Sequence, residues 1–245
     1  MTYGVGIMLE EGLVLAVDTR TNAGVDNIAT FRKLHTWSQP DKCVFVLLSS
    51  GNLAVTQAVV SLLTEGTHTT KRRGAPPNLF AAETMFQAAR IVGEASREVR
   101  KADAEALLQS NESFHASFIF GGQIGTERPR LFQIYSAGNF IEASVDTPFL
   151  QIGEHKYGKP ILDRVAQMNM SLGQAAKLLL LSFDSTIRSN LSVGLPIDIL
   201  VYSRDSLKLE RTRRIGADDG YFRKLSLDWS KALRTAFANI DEFDI

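Results

Sequence analysis

Two short apolar runs open the chain and are separated by a polar turn. Residues 3–9 and 13–17 are almost entirely apolar, and Glu10-Glu11-Gly12 lies between them. Runs of this length bounded by turn residues are typical of buried strands joined in a hairpin. After a polar stretch from Asp18 to about Arg32, the pattern predicts two further strands, at 33–37 and 43–48.

A helical pattern begins where the second of these strands ends. Ser49-Ser50-Gly51-Asn52 is expected to interrupt the strand and to start a helix that continues to about Glu65. The polar loop 66–78 contains Lys71-Arg72-Arg73, a basic cluster that is interpreted as a solvated or subunit-contacting loop. A longer helix is predicted over about 79–101, where apolar side chains recur along one side.

Strands and helices also form separate groups in the second half of the chain. Gly121-Gly122 is expected to be a hairpin turn, Pro160 to lie in the first turn of a helix, and Ser171-Leu172-Gly173-Gln174 to be a capping box. The predicted elements are strands at 114–120, 130–136 and 140–145, a helix around Pro160, a helix from Ser171 to about Ile187, strands at 197–203 and 207–214, and a helix at 221–238.

This order of elements predicts an α+β fold. Strands joined by tight turns and segregated from helices favour antiparallel sheets over a parallel βαβ sheet. Two sheets packed face to face, each covered outside by a pair of helices, bury the apolar faces of all these elements. The sequence therefore predicts a four-layer α/β/β/α sandwich, and its length of 245 residues fits a single domain over 1–245.

Composition and charge narrow the classes of function. Lys plus Arg and Asp plus Glu number 27 each, so no net charge attracts nucleic acid or a membrane surface. Residues 1–20 lack the pattern of a signal peptide, and no apolar run is long enough to span a membrane. The single cysteine, Cys43, suggests a reducing compartment, and the protein is predicted to be cytoplasmic. The four histidines lack ligand spacing, so no metal or other cofactor is predicted.

The candidate chemistry lies at the N-terminus. Thr2 follows Met1, and removal of Met1 leaves a free α-amine on the same residue as a hydroxyl. An α-amine titrates at about 7.7–8.0, and a threonine activated by its own amine is a recognised nucleophile. The predicted hairpin brings Asp18 and Arg20 beside Thr2, and the next strand carries Lys33 to the same end. A lysine here favours the neutral amine, and an aspartate holds that lysine in place.

Each of these residues also has a purely structural interpretation. Thr2 is a common second residue, Asp18 fits a turn, and Arg20 and Lys33 fit a solvated surface. The combination of all four with a strand that starts at residue 3 is more specific, and it favours a catalytic site.

The same residues resemble the proteasome β subunits, which are N-terminal nucleophile hydrolases that begin at a catalytic threonine. Ala16-Val17-Asp18-Thr19-Arg20 is similar to the segment after their first hairpin, and Lys33 stands where they have a catalytic lysine. This resemblance implies catalytic roles for Thr2, Asp18 and Lys33. The segment 49–54 resembles their glycine turn, which implies that the N–H of Gly51 forms the oxyanion hole.

Further likenesses imply a supporting set of residues. The segment 189–194 resembles a motif after the fourth helix, which implies supporting roles for Ser189 and Ser192, and Arg20 belongs to the same set. Two positions depart from the family pattern: Ser189 replaces an aspartate, and a Gly-Ser-Gly turn reads Gly153-Glu154-His155. A different hydrogen-bond network is therefore expected around the α-amine.

The likeness is greatest to the bacterial Anbu ("ancestral beta subunit") branch of this family. Residues 18–28, the acidic tail at 241–243 and the expected absence of a propeptide beyond Met1 all resemble that branch. The resemblance implies a cytoplasmic homo-oligomer, either ring-like or spiral. It also implies a peptide or amide substrate, while further partner proteins, such as an ATPase, stay unidentified.

Three functions are compatible with these observations. The first is a threonine peptidase or amidase that uses Thr2 after removal of Met1. The second keeps the same nucleophile but acts on a small non-protein amide. The third is an oligomeric scaffold that retains the fold and has lost the chemistry.

Overall fold

The structure, a computed structural model, describes residues 1–23, 27–68, 78–209 and 211–244. Of residues 22, 23, 27 and 28 it describes only the backbone. In chain order the strands are β1 (Tyr3–Leu9), β2 (Gly12–Asp18), β3 (Arg20–Ala23), β4 (Asn27–Thr30), β5 (Leu34–Gln39), β6 (Cys43–Gly51), β7 (Ala116–Ile124), β8 (Arg130–Ile134), β9 (Phe140–Glu142), β10 (Phe149–Gly153), β11 (Ile197–Ser203) and β12 (Arg211–Ile215). The helices are α1 (Leu53–His68), α2 (Met85–Gln109), α3 (Lys159–Val165), α4 (Leu172–Ser189) and α5 (Gly220–Ala238), with a short 3-10 turn at Leu79–Ala81.

Most strands belong to two antiparallel sheets that pack face to face. The first sheet has the order β10-β1-β2-β11-β12, and the second has the order β5-β6-β7-β8-β9. One apolar cluster fills the space between the sheets, and it includes Leu15, Val46 and Ile119. A second cluster joins the second sheet to α1 and α2, and a third joins the first sheet to α3, α4 and α5. This layering confirms the predicted α/β/β/α sandwich.

The signals at several helix starts are confirmed. Ser171 and Gln174 form the predicted capping box at α4, and Pro160 lies in the first turn of α3. Asn52 caps α1, because its side chain accepts hydrogen bonds from the N–H groups of Ala54 (3.0 Å) and Val55 (3.3 Å). These local bonds satisfy N–H groups that the helix itself leaves unpaired.

Two predicted turns are instead parts of strands. Ser49-Ser50-Gly51 does not interrupt the strand, because these residues continue β6 and pair with Phe118, Ser117 and Ala116 of β7. Gly121-Gly122 is not a hairpin turn, because both glycines pair with β6 and β8 inside β7. In both places the long-range ladder overrides the local preference of Ser and Gly for turns.

Other element boundaries also differ from those predicted. The polar stretch after Asp18 contains the hairpin β3–β4, whose strands lack an apolar pattern. The helix predicted at 79–101 is a 3-10 turn followed by α2, because Thr84 caps a new helix that continues through exposed polar residues to Gln109. The strand predicted at 207–214 is shorter, since β12 begins at Arg211.

Two sequence predictions extend beyond the described part of the chain. The basic cluster Lys71-Arg72-Arg73 lies outside the described residues, and so do residues 24–26 of the segment that resembles the Anbu branch. Among the helices that the structure does describe, none is long and apolar enough to cross a membrane.

Candidate active site

The candidate site lies between the two sheets, at the end of the sandwich where several strands begin or end. In the first sheet Thr2 precedes β1, and the antiparallel neighbours β2 and β10 end beside it at Asp18 and Gly153. In the second sheet Lys33 precedes β5, and β6 ends beside it at Gly51. Antiparallel pairing therefore brings together five residues that are far apart in the chain.

Lys33 connects Thr2 to Asp18. Its ammonium donates hydrogen bonds to the Thr2 hydroxyl (Nζ–Oγ1 2.7 Å) and to the Asp18 carboxylate (Nζ–Oδ1 3.2 Å). It also donates to the backbone carbonyl of Arg20. Only 6% of Thr2, 0% of Asp18 and 4% of Lys33 is exposed. The lysine charge is therefore directed at the hydroxyl oxygen in a largely buried environment, where it favours an alkoxide more strongly than at the surface.

One oxygen of Asp18 accepts both of its hydrogen bonds. Oδ1 accepts from Lys33 and from the N–H of Tyr3 (3.0 Å), whereas Oδ2 is buried with no hydrogen-bond partner among the described residues. Burial raises the pKa of Asp18 to about 6, although Lys33 and the Tyr3 N–H act in the opposite direction. Burial also lowers the pKa of Lys33, an effect that Asp18 opposes. The two groups therefore form an ion pair at neutral pH that is easier to neutralise than an exposed pair.

The supporting residues predicted from the sequence do not all reach the site. The carbonyl of Arg20 accepts from Lys33, but its guanidinium turns away and donates to the carbonyl of Leu191 (Nη1–O 3.2 Å). Ser189 is exposed at the end of α4, Ser192 is half-buried in the next loop, and neither lines the cavity of the site. Arg20 therefore holds the loop after α4 beside the site, while the two serines lie outside it.

The N–H of Gly51 points toward the site because of strand alternation. Two residues earlier in β6, the N–H of Ser49 donates to the carbonyl of Lys33 (3.0 Å), on the side of β5. N–H groups two residues apart in a strand point to the same side, and β5 begins only at Leu34. The N–H of Gly51 therefore points to the β5 side of β6, beyond the start of β5, and at φ +121° a Cβ here would lie 2.2 Å from the His115 carbonyl oxygen.

The end of β10 contacts Thr2 through the backbone. The N–H of Glu154 donates to the carbonyl of Thr2 (2.8 Å). Gly153 has a φ of +75°, and a Cβ at this position would lie 1.8 Å from the same carbonyl oxygen. Only glycine therefore allows β10 to approach the N-terminus this closely.

A cavity of about 690 Å³ opens onto these groups. This volume lies within the range of about 300–1,000 Å³ that is typical of small-molecule sites. Met1 lines this cavity, and the pKa of its α-ammonium is lowered by burial and by Lys33, while Asp18 and Glu154 oppose the change. The lining residues are Met1, Thr2, Thr21, Ala29, Phe31, Lys33, Ser49, Ser50, Gly51, Asn52, Leu53, Thr56, Glu112, Ser113, His115, Gly153 and Glu154.

Sequence reasoning missed several of these groups. The Tyr3 N–H and the Arg20 carbonyl are backbone atoms, which carry no residue-type signal. Glu112 and His115 come from the loop after α2, which only the pairing of β7 with β6 brings to the site. No cluster of His, Cys, Asp and Glu in the described ranges could hold a metal ion.

Comparisons with known proteins agree with this architecture. A family model described as "Proteasome subunit" matches residues 2–201. A search of curated proteins finds no match, whereas several solved structures match along their whole length. The Anbu (Gly-1) mutant from Hyphomicrobium sp. strain MC1 is 61% identical, with a TM-score of 0.92 over 100% of both chains.

Two Anbu structures from other bacteria show the same relationship. Anbu (ancestral beta-subunit) from Yersinia bercovieri is 45% identical, with a TM-score of 0.91 over 99% of each chain. A helical assembly of the Anbu complex from Pseudomonas aeruginosa contains a chain that is 46% identical, with a TM-score of 0.91 over 99% of this chain and 98% of that one. The protein therefore belongs to the proteasome-subunit family and, within it, groups with the Anbu proteins.

Proposed function

We propose that this protein is an N-terminal threonine hydrolase, a peptidase or amidase in which Thr2 becomes the nucleophile once Met1 has been removed. The observation that carries the proposal is the 2.7 Å hydrogen bond from Lys33 Nζ to Thr2 Oγ1, beside the buried carboxylate of Asp18. Burying such an ion pair costs desolvation free energy that an apolar pair would not cost. Perturbed ionisable groups in a cavity are typical of catalytic sites.

Acylation begins with attack on a carbonyl. The Thr2 hydroxyl oxygen forms a bond to the carbonyl carbon, and its proton passes to the neutral α-amine of the same residue. The developing oxyanion is stabilised by the N–H of Gly51, which lines the same cavity. The intermediate then collapses, the carbon–nitrogen bond breaks, and the α-ammonium returns the proton to the departing amine. An ester on Thr2 remains.

Deacylation repeats these steps with water. The neutral α-amine accepts a proton from a water molecule as its oxygen attacks the ester carbon. The second tetrahedral intermediate collapses, the carboxylic acid leaves, and the Thr2 oxygen recovers its proton. Throughout, Lys33 stays hydrogen-bonded to Thr2 Oγ1 and favours its negative charge, while Asp18 and the Arg20 carbonyl hold the lysine in place.

Removal of Met1 is a condition of this mechanism. While Met1 is attached, the nitrogen of Thr2 belongs to a peptide bond and has no basic lone pair. Met1 also lines the cavity beside the hydroxyl. Its removal therefore both creates the base and opens the space that a substrate needs.

The cavity is compatible with a peptide or with a small amide. Its lining combines apolar side chains, Phe31 and Leu53, with the acidic side chains Glu112 and Glu154. Its volume is large enough for a few peptide residues or one small molecule. The bond that is cleaved is therefore an amide. A comparison of peptide and small-amide libraries determines whether the substrate is a peptide or a small amide.

We further propose that the protein self-associates into a ring-like or spiral homo-oligomer in the cytoplasm. The relative from Pseudomonas aeruginosa forms a helical assembly. This chain also exposes large apolar side chains on α5 and after it, which is typical of interaction surfaces. They are Leu227, Leu233, Phe237, Ile240 and Phe243. Mass photometry across a dilution series measures the assembly, and a monomer at all concentrations contradicts this part of the proposal.

The catalytic proposal is tested with an electrophile directed at N-terminal threonines. Protein beginning at Thr2 is prepared by cleaving an N-terminal fusion, and intact mass confirms its start. An epoxyketone or β-lactone probe is expected to add one mass increment per chain, because the hydroxyl and amine are then both available. The same protein with Met1 retained is expected to stay unmodified by the epoxyketone, which reacts with both groups.

Two variants assign the adduct to one residue. Thr2→Ala is expected to lose it, since the nucleophilic oxygen is absent. Thr21→Ala removes another threonine hydroxyl that lines the same cavity and is expected to retain it. Absence of an adduct from correctly folded protein that starts at Thr2 would contradict the enzymatic function and favour the scaffold.

A further inference from the structure

The backbone geometry shows where the α-amine of processed Thr2 points. The Thr2 carbonyl accepts from the N–H of Glu154, on the β10 side of β1. The N–H of the next residue, Tyr3, points to the opposite side and donates to Asp18 (3.0 Å). In an extended strand the nitrogen and carbonyl of one residue point to the same side. We infer, by extending the alternation of β1 by one residue, that the nitrogen of Thr2 lies on the β10 side, away from Asp18.

Glu154 lies beside Thr2, directly after the end of β10. The β1–β10 ladder ends with the pairs Gly4–Ile152 and Tyr3–Gly153, and just beyond it the N–H of Glu154 donates to the carbonyl of Thr2 (2.8 Å). The Glu154 side chain is half-buried and lines the same cavity as Thr2.

Several ionisable groups surround this position. They are Asp18 from β2, Lys33 before β5, Glu154 and His155 after β10, and Glu112 and His115 after α2. His155 is exposed and directs Nδ1 to the Gly153 carbonyl (3.1 Å), so it is engaged elsewhere. On the α-ammonium of Met1, one residue earlier, Lys33 lowers the pKa, whereas Asp18 and Glu154 raise it. Among these acidic groups, Glu154 alone lies at the end of β10.

We propose that Glu154 is a positioning residue whose carboxylate holds the α-amine of processed Thr2 from the β10 side. This inference rests on the proposed function, because the amine is free only in a chain that starts at Thr2. Lys33 approaches the hydroxyl of the same residue from the second sheet, so the two charged groups hold the two reacting atoms from different directions.

Glu154 in this position changes the pH range in which the protein works. A carboxylate beside an ammonium favours the protonated amine, which is not a base. Glu154 therefore raises the pKa of the amine, so that the neutral amine appears only at higher pH. Burial and Lys33 act on this pKa in the opposite direction. The proposal predicts that Glu154 moves the acidic limb of activity toward alkaline pH.

The amine itself is titrated, so that the test does not depend on turnover. Chains that begin at Thr2 are treated with cyanate, which carbamoylates only the neutral amine, and N-terminal carbamoylation is quantified by mass spectrometry across pH. Glu154→Gln is expected to lower the pKa of the amine by about half a pH unit or more. Glu154→Asp retains the charge and is expected to lie closer to the wild type.

Glu112→Gln is the matched control, since it removes the same charge from the same cavity at a residue that follows α2 and not β10. It is expected to leave the pKa of the amine unchanged. Equal pKa values in folded wild-type protein and the Glu154→Gln variant would overturn the proposal, as would equal shifts in the Glu112→Gln and Glu154→Gln variants. A shift confined to Glu154→Gln, in protein that takes up no threonine-directed probe, would uphold the role of Glu154 and contradict the hydrolase function.

Discussion

The carbonyl oxygen of Thr2 occupies the space in which a side chain at Gly153 would begin, 1.8 Å from the ideal position of a Cβ. Gly153 also has a φ of +75°, which side chains disfavour. The N–H of the next residue, Glu154, donates to the same carbonyl oxygen (2.8 Å). The end of β10 therefore sets the position of the N-terminal residue by direct backbone contact.

Gly153→Ala is expected to displace Thr2 and to destabilise the fold by about 2–4 kcal/mol, because it combines a positive φ with a backbone clash. Gly173→Ala is the control, since a Cβ there meets nothing within 4 Å and alanine is favoured in helices. It is expected to be neutral or stabilising by up to about 1 kcal/mol. Chemical denaturation measures both variants, and equal stabilities would contradict the tight approach of β10.

Lys33→Met is expected to reduce the rate of probe uptake at Thr2 by at least about 100-fold, because the charge that favours the alkoxide is lost. Lys33→Arg is expected to be nearly as slow, since a planar guanidinium does not replace a buried ammonium with three close acceptors. Lys42→Met removes an exposed lysine in the β5–β6 turn and is the control. Uptake in Lys33→Met at the wild-type rate would exclude a role for this lysine.

Activity and stability are expected to depend on Asp18 in opposite ways. Its pKa is raised from 3.8 to about 6, so the folded state binds this proton more tightly than the unfolded state. The stabilisation is complete below pH 3.8 and is lost as pH rises through about 6. Activity, by contrast, needs the ionised carboxylate that holds Lys33, and it is expected to fall below about pH 6.

The effect of Asp18 on stability is measured as the difference in free energy of unfolding between the wild type and Asp18→Asn, whose side chain at this position does not titrate. From pH 4 to pH 7 the wild type is expected to lose stability relative to the variant by an amount on the order of 2–3 kcal/mol. Denaturant unfolding at several pH values gives this difference. A difference that does not change with pH, or that changes in the opposite direction, would contradict the raised pKa.

Three variants test whether the supporting residues act through their side chains or only through the backbone. They are Arg20→Ala, Ser189→Ala and Ser192→Ala. Arg20→Ala keeps the carbonyl that accepts from Lys33 and loses only the contact with the loop after α4. It is expected to slow probe uptake by less than about tenfold and to cost about 1 kcal/mol of stability. The serine variants are expected to react like the wild type, and a loss of 100-fold or more in either one would place that serine in the mechanism after all.

Much of the architecture was predictable because it depends on local patterns. The apolar runs at 3–9, 13–17 and 43–48 gave strands at nearly those positions, and the capping box at Ser171 gave the start of α4. The predicted four-layer sandwich followed from grouped strands and helices. Predictions that relied on glycine or serine as turn signals, at Ser49–Gly51 and Gly121-Gly122, were wrong, because strand pairing over long distances outweighed local preference.

By itself, the sequence determined most of the order of the elements, the two-sheet core and the residue types Thr2, Asp18 and Lys33 near an N-terminal hairpin. Only the tertiary structure decided that the Lys33 ammonium lies 2.7 Å from the Thr2 hydroxyl. It also decided that Arg20 contributes its carbonyl and that the N–H of Glu154 donates to the Thr2 carbonyl. The physical reason is that apolar periodicity encodes which face of an element is buried, whereas the direction of a backbone N–H or carbonyl depends on the register between strands distant in the chain.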